Sequence, residues 1–245
     1  LIPNTAVHKL IIDEATGHAT GVETVTDETG EGKRITARAV FLNAGTIPTT
    51  MILLNSATGQ APNGLANSSG QLGRNVMDHH SGARGYATLP GHLDRHFFGR
   101  RPNGFYIPRF RNHTEDGDGF VRGYGYQGSA TRGHWSSVGG RQGIGADLKA
   151  DARTPGPWQI SMVAFGEVLP NEKNHIRLHP NKTDKWGFPV PIMDVAWGDN
   201  ERAMVRRAIR DTRAMLEAAG GTNIQTEDPD TTEPAPPGIG IHEMG

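Results

Sequence analysis

The chain has 245 residues, 35% hydrophobic and 21% charged, with 25 Lys and Arg against 26 Asp and Glu for a formal net charge of −1. That balance, without a basic stripe, argues against nucleic acid as the main partner, and no apolar run approaches the roughly 18 residues of a membrane span. The absence of cysteine removes disulfides and thiolate metal sites, while 33 glycines and 16 prolines point to many turns and loops.

Leu1 opens on a strand already in progress, with no charged segment and apolar run of a leader ahead of it. A fragment of a longer protein is therefore expected, and the compartment, cytoplasmic or periplasmic, stays open. Residues 6–12, 20–26 and 33–38 read as short strands joined by turn-rich connectors, the pattern of a β-meander. "AVFLNAG" at 39–45 reads as a more apolar strand. The following "TIPTTMILLNSA" reads as a helix with Thr46 as N-cap and Pro48 in its first turn. Such a strand–turn–helix junction offers free N–H groups to an anion or a polar edge.

From about 57 to 75 the chain is turn-rich. From 82 to 157 glycine, arginine and aromatics alternate without a period, so loops between scattered strands are expected. Segments 158–165, 174–180 and 190–197 show partial period-2 alternation and read as strands of an antiparallel sheet. Residues 200–219 form the clearest helix. Met204, Ala208, Met215 and Ala219 are expected on its buried face beside Val205, Ile209 and Leu216, with arginines opposite, a cap at Asp199 or Asn200, and a stop at Gly220.

Several motifs invite chemistry. Gly123, Gly125 and Gly128 spell G-x-G-x-x-G, but a dinucleotide fingerprint needs a helix after it, and "SATRGHWSSVGG" is not helical in pattern. The His79–His80 pair, and His92 and His96 four apart, lack the carboxylates that would complete a metal shell, so no metal site is expected. "GQLGRNVMDHH" at 70–80 reads on its own as a glycine turn followed by a short element anchored by Arg74 and Asp78. His242, in the closing "GIGIHEMG", is the sharper case. A lone histidine is most often a plain surface or core residue, yet small residues on both sides admit a close approach, and a pKa of about 6.5 suits proton transfer near neutrality.

Four separated segments together resemble the glucose–methanol–choline (GMC) flavoprotein oxidoreductases. They are "ARAVFLNAGTIPTTMILLNS", "GLANSSGQLGRNVMDHH", "NHIRLHPNKTDKWGFPVPIMDVAW" and "IHEMG", which looks like the start of that family's H-x-x-G-T motif. They occur in family order over nearly the whole chain. The resemblance implies a mixed α/β and α+β fold: part of a FAD-binding Rossmann-like domain, plus an antiparallel-sheet substrate domain flanked by helices. It implies a partial FAD domain at 1–84, a substrate domain at 85–198, its sheet roofing the flavin, and a return to the active-site motif over 199–245. The FAD-binding βαβ unit is expected ahead of Leu1 and a second active-site His or Asn beyond Gly245.

The implied reaction is oxidation of an alcohol, commonly of a sugar, sugar acid or polyol, by hydride transfer to flavin N5. His242 matches the family's active-site histidine and would act as the base. The position of Val7 contacts the adenine end of FAD through its backbone in the family, with the Ala44–Gly45 turn close by. The wording sits nearer to bacterial sugar-type dehydrogenases, including gluconate and glucoside dehydrogenases and the pyranose oxidases, than to cholesterol or choline enzymes. A dehydrogenase is expected rather than an oxidase, with its electron acceptor unread. Two other classes fit the composition: a β-rich carbohydrate-binding or interaction module, and a flavoprotein descendant without catalysis.

Overall fold

Residues 1–95, 104–113, 119–132, 143–153, 156–238 and 242–245 are described in the computed structural model. They group into two units of interleaved chain. The first combines Leu1–Asp78, Pro170–Ala196 and Ile241–Gly245, and the second combines His79–Leu169 and Trp197–Gly240. Among the described residues the strand pairings are antiparallel, and with three α-helices beside them the fold is a mixed α and β arrangement of the expected class.

In the first unit, β1 (Thr5–Asp13), β2 (His18–Thr26) and β3 (Gly32–Thr36) form the expected meander. Helix α1 (Thr46–Asn55) is tied to β1 where the Leu10 N–H donates to Ser56 Oγ at 2.8 Å. Residues 39–45 do not form the expected strand. A strand exists only with a ladder partner, these residues have none among the described residues, and Phe41 is 84% exposed. Strands β8 (His175–Thr183) and β9 (Pro189–Asp194) make a hairpin of their own. Asp184 closes its turn, its Oδ1 accepting from the N–H groups of Trp186 at 2.9 Å and Phe188 at 3.0 Å. Thus 174–180 and 190–197 pair with each other, while 158–165 belongs to a different sheet.

That sheet forms the second unit. Its order is β10 (Thr222–Thr226), β4 (His80–Leu89), β7 (Trp158–Gly166), β6 (Tyr124–Arg132), β5 (Phe105–Ile107). Strand content over 82–157 exceeds the sequence reading because glycines interrupt the alternation: Gly85 in β4, Gly125 and Gly128 in β6. The interruption has a use. A Cβ on Gly85 would overlap Thr212 and Leu216, side chains of helix α3 (Asp199–Ala218), so the bare backbone lets the helix lie close on the sheet. The G-x-G-x-x-G glycines fall in or beside β6, a strand that runs to Arg132, and they make room for Arg109, Tyr106 and Phe105. A short helix, α2 (Gly145–Arg153), also lies in the stretch read as loops and buries no residue.

One core joins α3 to the sheet: Met204, Val205, Ala208, Ile209 and Leu216 against Ala83, Ala87, Tyr124, Tyr126, Met162 and Ala164. Each large side chain fully buried there stabilises the unit by about 1.5–3 kcal/mol. The buried stripe is rotated from the expected one, since Met215 is only half-buried and Ala219 is exposed. Thr212 sits between Ala208 and Leu216 on the buried face, its hydroxyl satisfied by donating to the Ala208 carbonyl at 2.8 Å. Arg206, Arg210 and Arg213 are exposed as the pattern requires. The N-cap is Gly198 rather than Asp199 or Asn200, because Glu201 Oε2 accepts the Gly198 N–H at 2.8 Å and Asn200 is engaged with Val121. Gly220, at φ 75°, ends the helix as expected.

These contacts divide the chain elsewhere than at 84 and 198. Helix α3 goes with the five-stranded sheet through its apolar stripe. The 170–196 segment goes with the meander and α1, held by the Ile176 N–H on the Gly73 carbonyl at 2.7 Å.

His80 is fully buried at the start of β4, with Nε2 at 2.8 Å from Met204 Sδ and no hydrogen-bond partner for Nδ1. Gly166 opposite leaves the space its ring fills. Burial pushes its pKa down to about 4, against a smaller opposing pull from Glu201. The unfolded chain therefore takes up a proton near pH 6.5 that the folded one refuses until about pH 4. The stability gained by keeping His80 neutral is complete above 6.5 and lost as pH falls toward 4. Its size is about 3 kcal/mol. Urea unfolding at pH 7 and pH 4.5 is expected to show that loss in the parent and a markedly smaller one in His80→Gln; equal losses would place the titration elsewhere.

Candidate active site

The turn-rich stretch ahead of β4 becomes ordered by pairing on both sides. On one side, Arg74 donates to the carbonyls of Gly70 at 3.0 Å and Glu172 at 3.3 Å, as an anchor should. The Val76 N–H donates to the Asn174 carbonyl at 3.1 Å. On the other side lies the end of the chain. Met77 and Met244 exchange backbone hydrogen bonds, Met77 N–H to Met244 carbonyl at 2.7 Å and the reverse at 3.0 Å. Asp78, 2% exposed, accepts the His242 N–H on Oδ1 at 3.3 Å. The Thr46 hydroxyl donates to the Glu243 carbonyl at 2.6 Å.

Three consecutive residues, 242 to 244, are therefore held by two distant segments. The His242 side chain is left exposed. Thr46 does not cap α1 as expected; its hydroxyl is spent on Glu243, and the N-cap is Gly45 at φ 87° with no side-chain bond. The first-turn N–H groups of α1 thus keep their outward direction. They adjoin a cleft of about 520 Å³ lined by Asn43, Gly45, Thr46, Gly73, Arg74 and Gly245, among others. Gly245 must be small, since a Cβ there would lie 2.7 Å from the Asn75 carbonyl oxygen.

Of the residues singled out in the sequence, Gly45 and the His242 motif come together at this cleft. Ala44 is exposed beside it and does not line it. Val7 is exposed on β1, where the register with β2 shifts between Val7 and Lys9, and it is not part of the cleft. His79 is half-buried, with Nδ1 3.3 Å from the Gly166 carbonyl oxygen. His92 is exposed, and His96 lies outside the described residues. Among the described residues no group of three or more His, Asp or Glu side chains is placed to hold a metal. Sequence reasoning missed Thr46, Met77 and Asp78 as parts of the site. The signal available was the resemblance, which marked both of their segments as landmarks.

The family model for GMC oxidoreductase matches residues 1–81. A 2-methyl-1,2-propanediol dehydrogenase of Mycolicibacterium austroafricanum is 27% identical over 247 residues, covering 94% of this chain and 41% of the relative. Over residues 1–81 the chain is similar to the GMC oxidoreductases. The large subunit of a fructose dehydrogenase of Gluconobacter japonicus is 28% identical over 237 residues, covering 92% of this chain and 41% of that protein. The chain thus spans 41% of the length of these two relatives. A formate oxidase of Aspergillus oryzae, solved in a study of FAD modification, shares the fold at a TM-score of 0.57 and 16% identity, over 96% of this chain and 49% of that one. A second formate oxidase structure matches at 0.51 and 16%, with the same coverage.

FAD is the cofactor that the similarity to the GMC oxidoreductases implies. The cleft fits part of such a group. An uncapped helix start supplies N–H donors for a polar or anionic edge, and Gly45, with open space where a Cβ would lie, admits a flat ring system at close range.

Proposed function

We propose that this chain is part of a FAD-dependent dehydrogenase that oxidises an alcohol carbon of a small polyol, sugar or sugar acid. The observation that carries the reading is the arrangement around His242: a backbone held at three successive residues, a side chain left exposed, and a motif whose last glycine lines a cleft suited to a flavin. In this reading FAD, when bound, supplies the hydride acceptor. Gly45, Thr46 and Gly245 hold its polar edge. His242 removes the hydroxyl proton as hydride leaves the same carbon, and the imidazolium keeps that proton until it is passed to solvent.

The first unit is the cofactor-binding part, which the match over 1–81 supports. The second is the substrate-binding part. The sheet face opposite α3 supports this, carrying Tyr86, Gln127, Ser129 and Ser161 around a depression of about 490 Å³ with Arg84 at its side. Neutral hydroxyl and amide groups beside an aromatic ring suit a polyhydroxylated molecule better than an apolar one. The names of the two curated relatives, one acting on a diol and one on fructose, favour dehydrogenation of small hydroxylated substrates.

Anaerobic mixing of the FAD-loaded enzyme with a panel of 1,2-diols, ketoses, aldoses and sugar acids tests the reading. At least one is expected to bleach the oxidised flavin spectrum, with turnover supported by an artificial dye better than by oxygen. Binding of sugars without any bleaching would favour a carbohydrate-binding module instead.

A further inference from the structure

Asp78 lies almost wholly buried at the point where the chain passes from the meander unit toward β4. A carboxylate removed from water is costly unless hydrogen bonds compensate it, so a fold that needed only packing here would use an apolar side chain. Its Oδ1 accepts the N–H of His242. The backbone ladder of this segment consists of the single Met77–Met244 pair, which fixes residue 244 and stops there. Residue 243 is fixed from a different direction, by the Thr46 hydroxyl. Residue 242 is then fixed by a side chain, because the ladder does not extend to it. These bonds fix the peptide plane ahead of His242 and the plane between residues 243 and 244, which leaves the short stretch between them little freedom to redirect the His242 Cα–Cβ bond.

We propose that Asp78 is a positioning residue: its carboxylate, with the Thr46 hydroxyl and the Met77 backbone, aims the His242 imidazole. This rests on the reading of His242 as the base. The role is that of an acceptor oxygen on the His242 N–H, so an amide oxygen in the same place serves as well. Aim matters because a proton-transfer group displaced by about 1 Å loses on the order of 10²-fold in rate.

The test uses the FAD-loaded enzyme and follows anaerobic flavin reduction, KM, the flavin-to-protein ratio and the melting temperature. Asp78→Ala is expected to slow flavin reduction at least about 10-fold, with flavin content retained and KM changed less than about 3-fold. Asp78→Asn is expected to restore the rate to within about 3-fold of the parent, since it keeps an acceptor. Thr46→Val, which removes one hydroxyl with little change in shape, should slow reduction about 3-fold. Asp78→Ala added to His242→Ala should cost nothing further, because both act through one group.

An additive loss in that double variant would overturn the proposal, as would a parent-like rate in Asp78→Ala or a failure of Asp78→Asn to restore a flavin-loaded, stable protein. Should Asp78→Ala lose its flavin or melt early, Thr46→Val decides, and a parent-like rate there overturns the proposal. A parent-like rate in His242→Ala alone would remove the base reading, and the proposal with it.

Discussion

Replacing His242 with alanine is expected to lower the rate of flavin reduction at least about 10²-fold while leaving FAD bound. A positioned base typically contributes about 10²–10⁴-fold, and its removal should appear in the chemical step rather than as a rise in KM, because the interaction strengthens toward the transition state. The His242 backbone is held by hydrogen bonds that residues 242, 243 and 244 make through main-chain atoms. Truncating the exposed ring should therefore leave the flavin-to-protein ratio and melting temperature near those of the parent. Anaerobic stopped-flow with any alcohol that reduces the parent makes the measurement. A variant that loses flavin, or melts early with activity in proportion to surviving protein, would mark His242 as structural. A variant with both flavin and near-normal reduction would leave the base unassigned.

Ile209→Asp is expected to cost the second unit about 4 kcal/mol or more. Ile209 is 1% exposed, in the core that α3 makes with β4, β6 and β7. A carboxylate there would be buried, and the nearby polar groups are already engaged: Thr212 with the Ala208 carbonyl, Tyr126 with the same carbonyl at 2.8 Å, and Tyr124 with Asp211 at 2.6 Å. Arg206→Ala, on the exposed side of the same helix, should cost less than about 0.5 kcal/mol. Thermal unfolding should separate the two by about 8 °C or more. A parent-like melt for Ile209→Asp would mean that the helix presents another face.

Helix α3 was legible because charged and apolar residues alternate at helical spacing over twenty positions. Its rotation was not, because Thr212 buries a hydroxyl by returning it to the helix backbone, and a polarity pattern reads that residue as exposed. The meander was legible from Val, Ile and Thr between turn residues. Strands β4 and β6 were hidden by glycines whose role, admitting a helix or a neighbouring ring, belongs to tertiary packing. Residues 39–45 had the composition of a strand and lacked a partner, which composition does not report. At the site, His242 and Gly45 could be singled out by type and setting. Thr46 and Asp78 could not, because their partners lie 197 and 164 positions away, and a local reading gives a threonine before a helix to capping and an aspartate after a turn to anchoring.

The separations in the His242 clamp also bear on the order in which the protein matures. The first unit is assembled from three stretches of chain, with the five-stranded sheet and α3 encoded between them. During synthesis the meander and α1 emerge before the rest of this stretch, and Thr46, Met77 and Asp78 must wait for residues 242–244 before their bonds can form. Pairing across so long an interval is slow, because loop-closure entropy is spent before the contacts return it. The bonds that hold residues 242–244 thus form only after the sheet and α3 encoded ahead of them have been made. A chain misfolded between these segments would carry a formed meander and an undirected His242, so, with His242 read as the base, the clamp makes chemistry wait on the folding of the segments between.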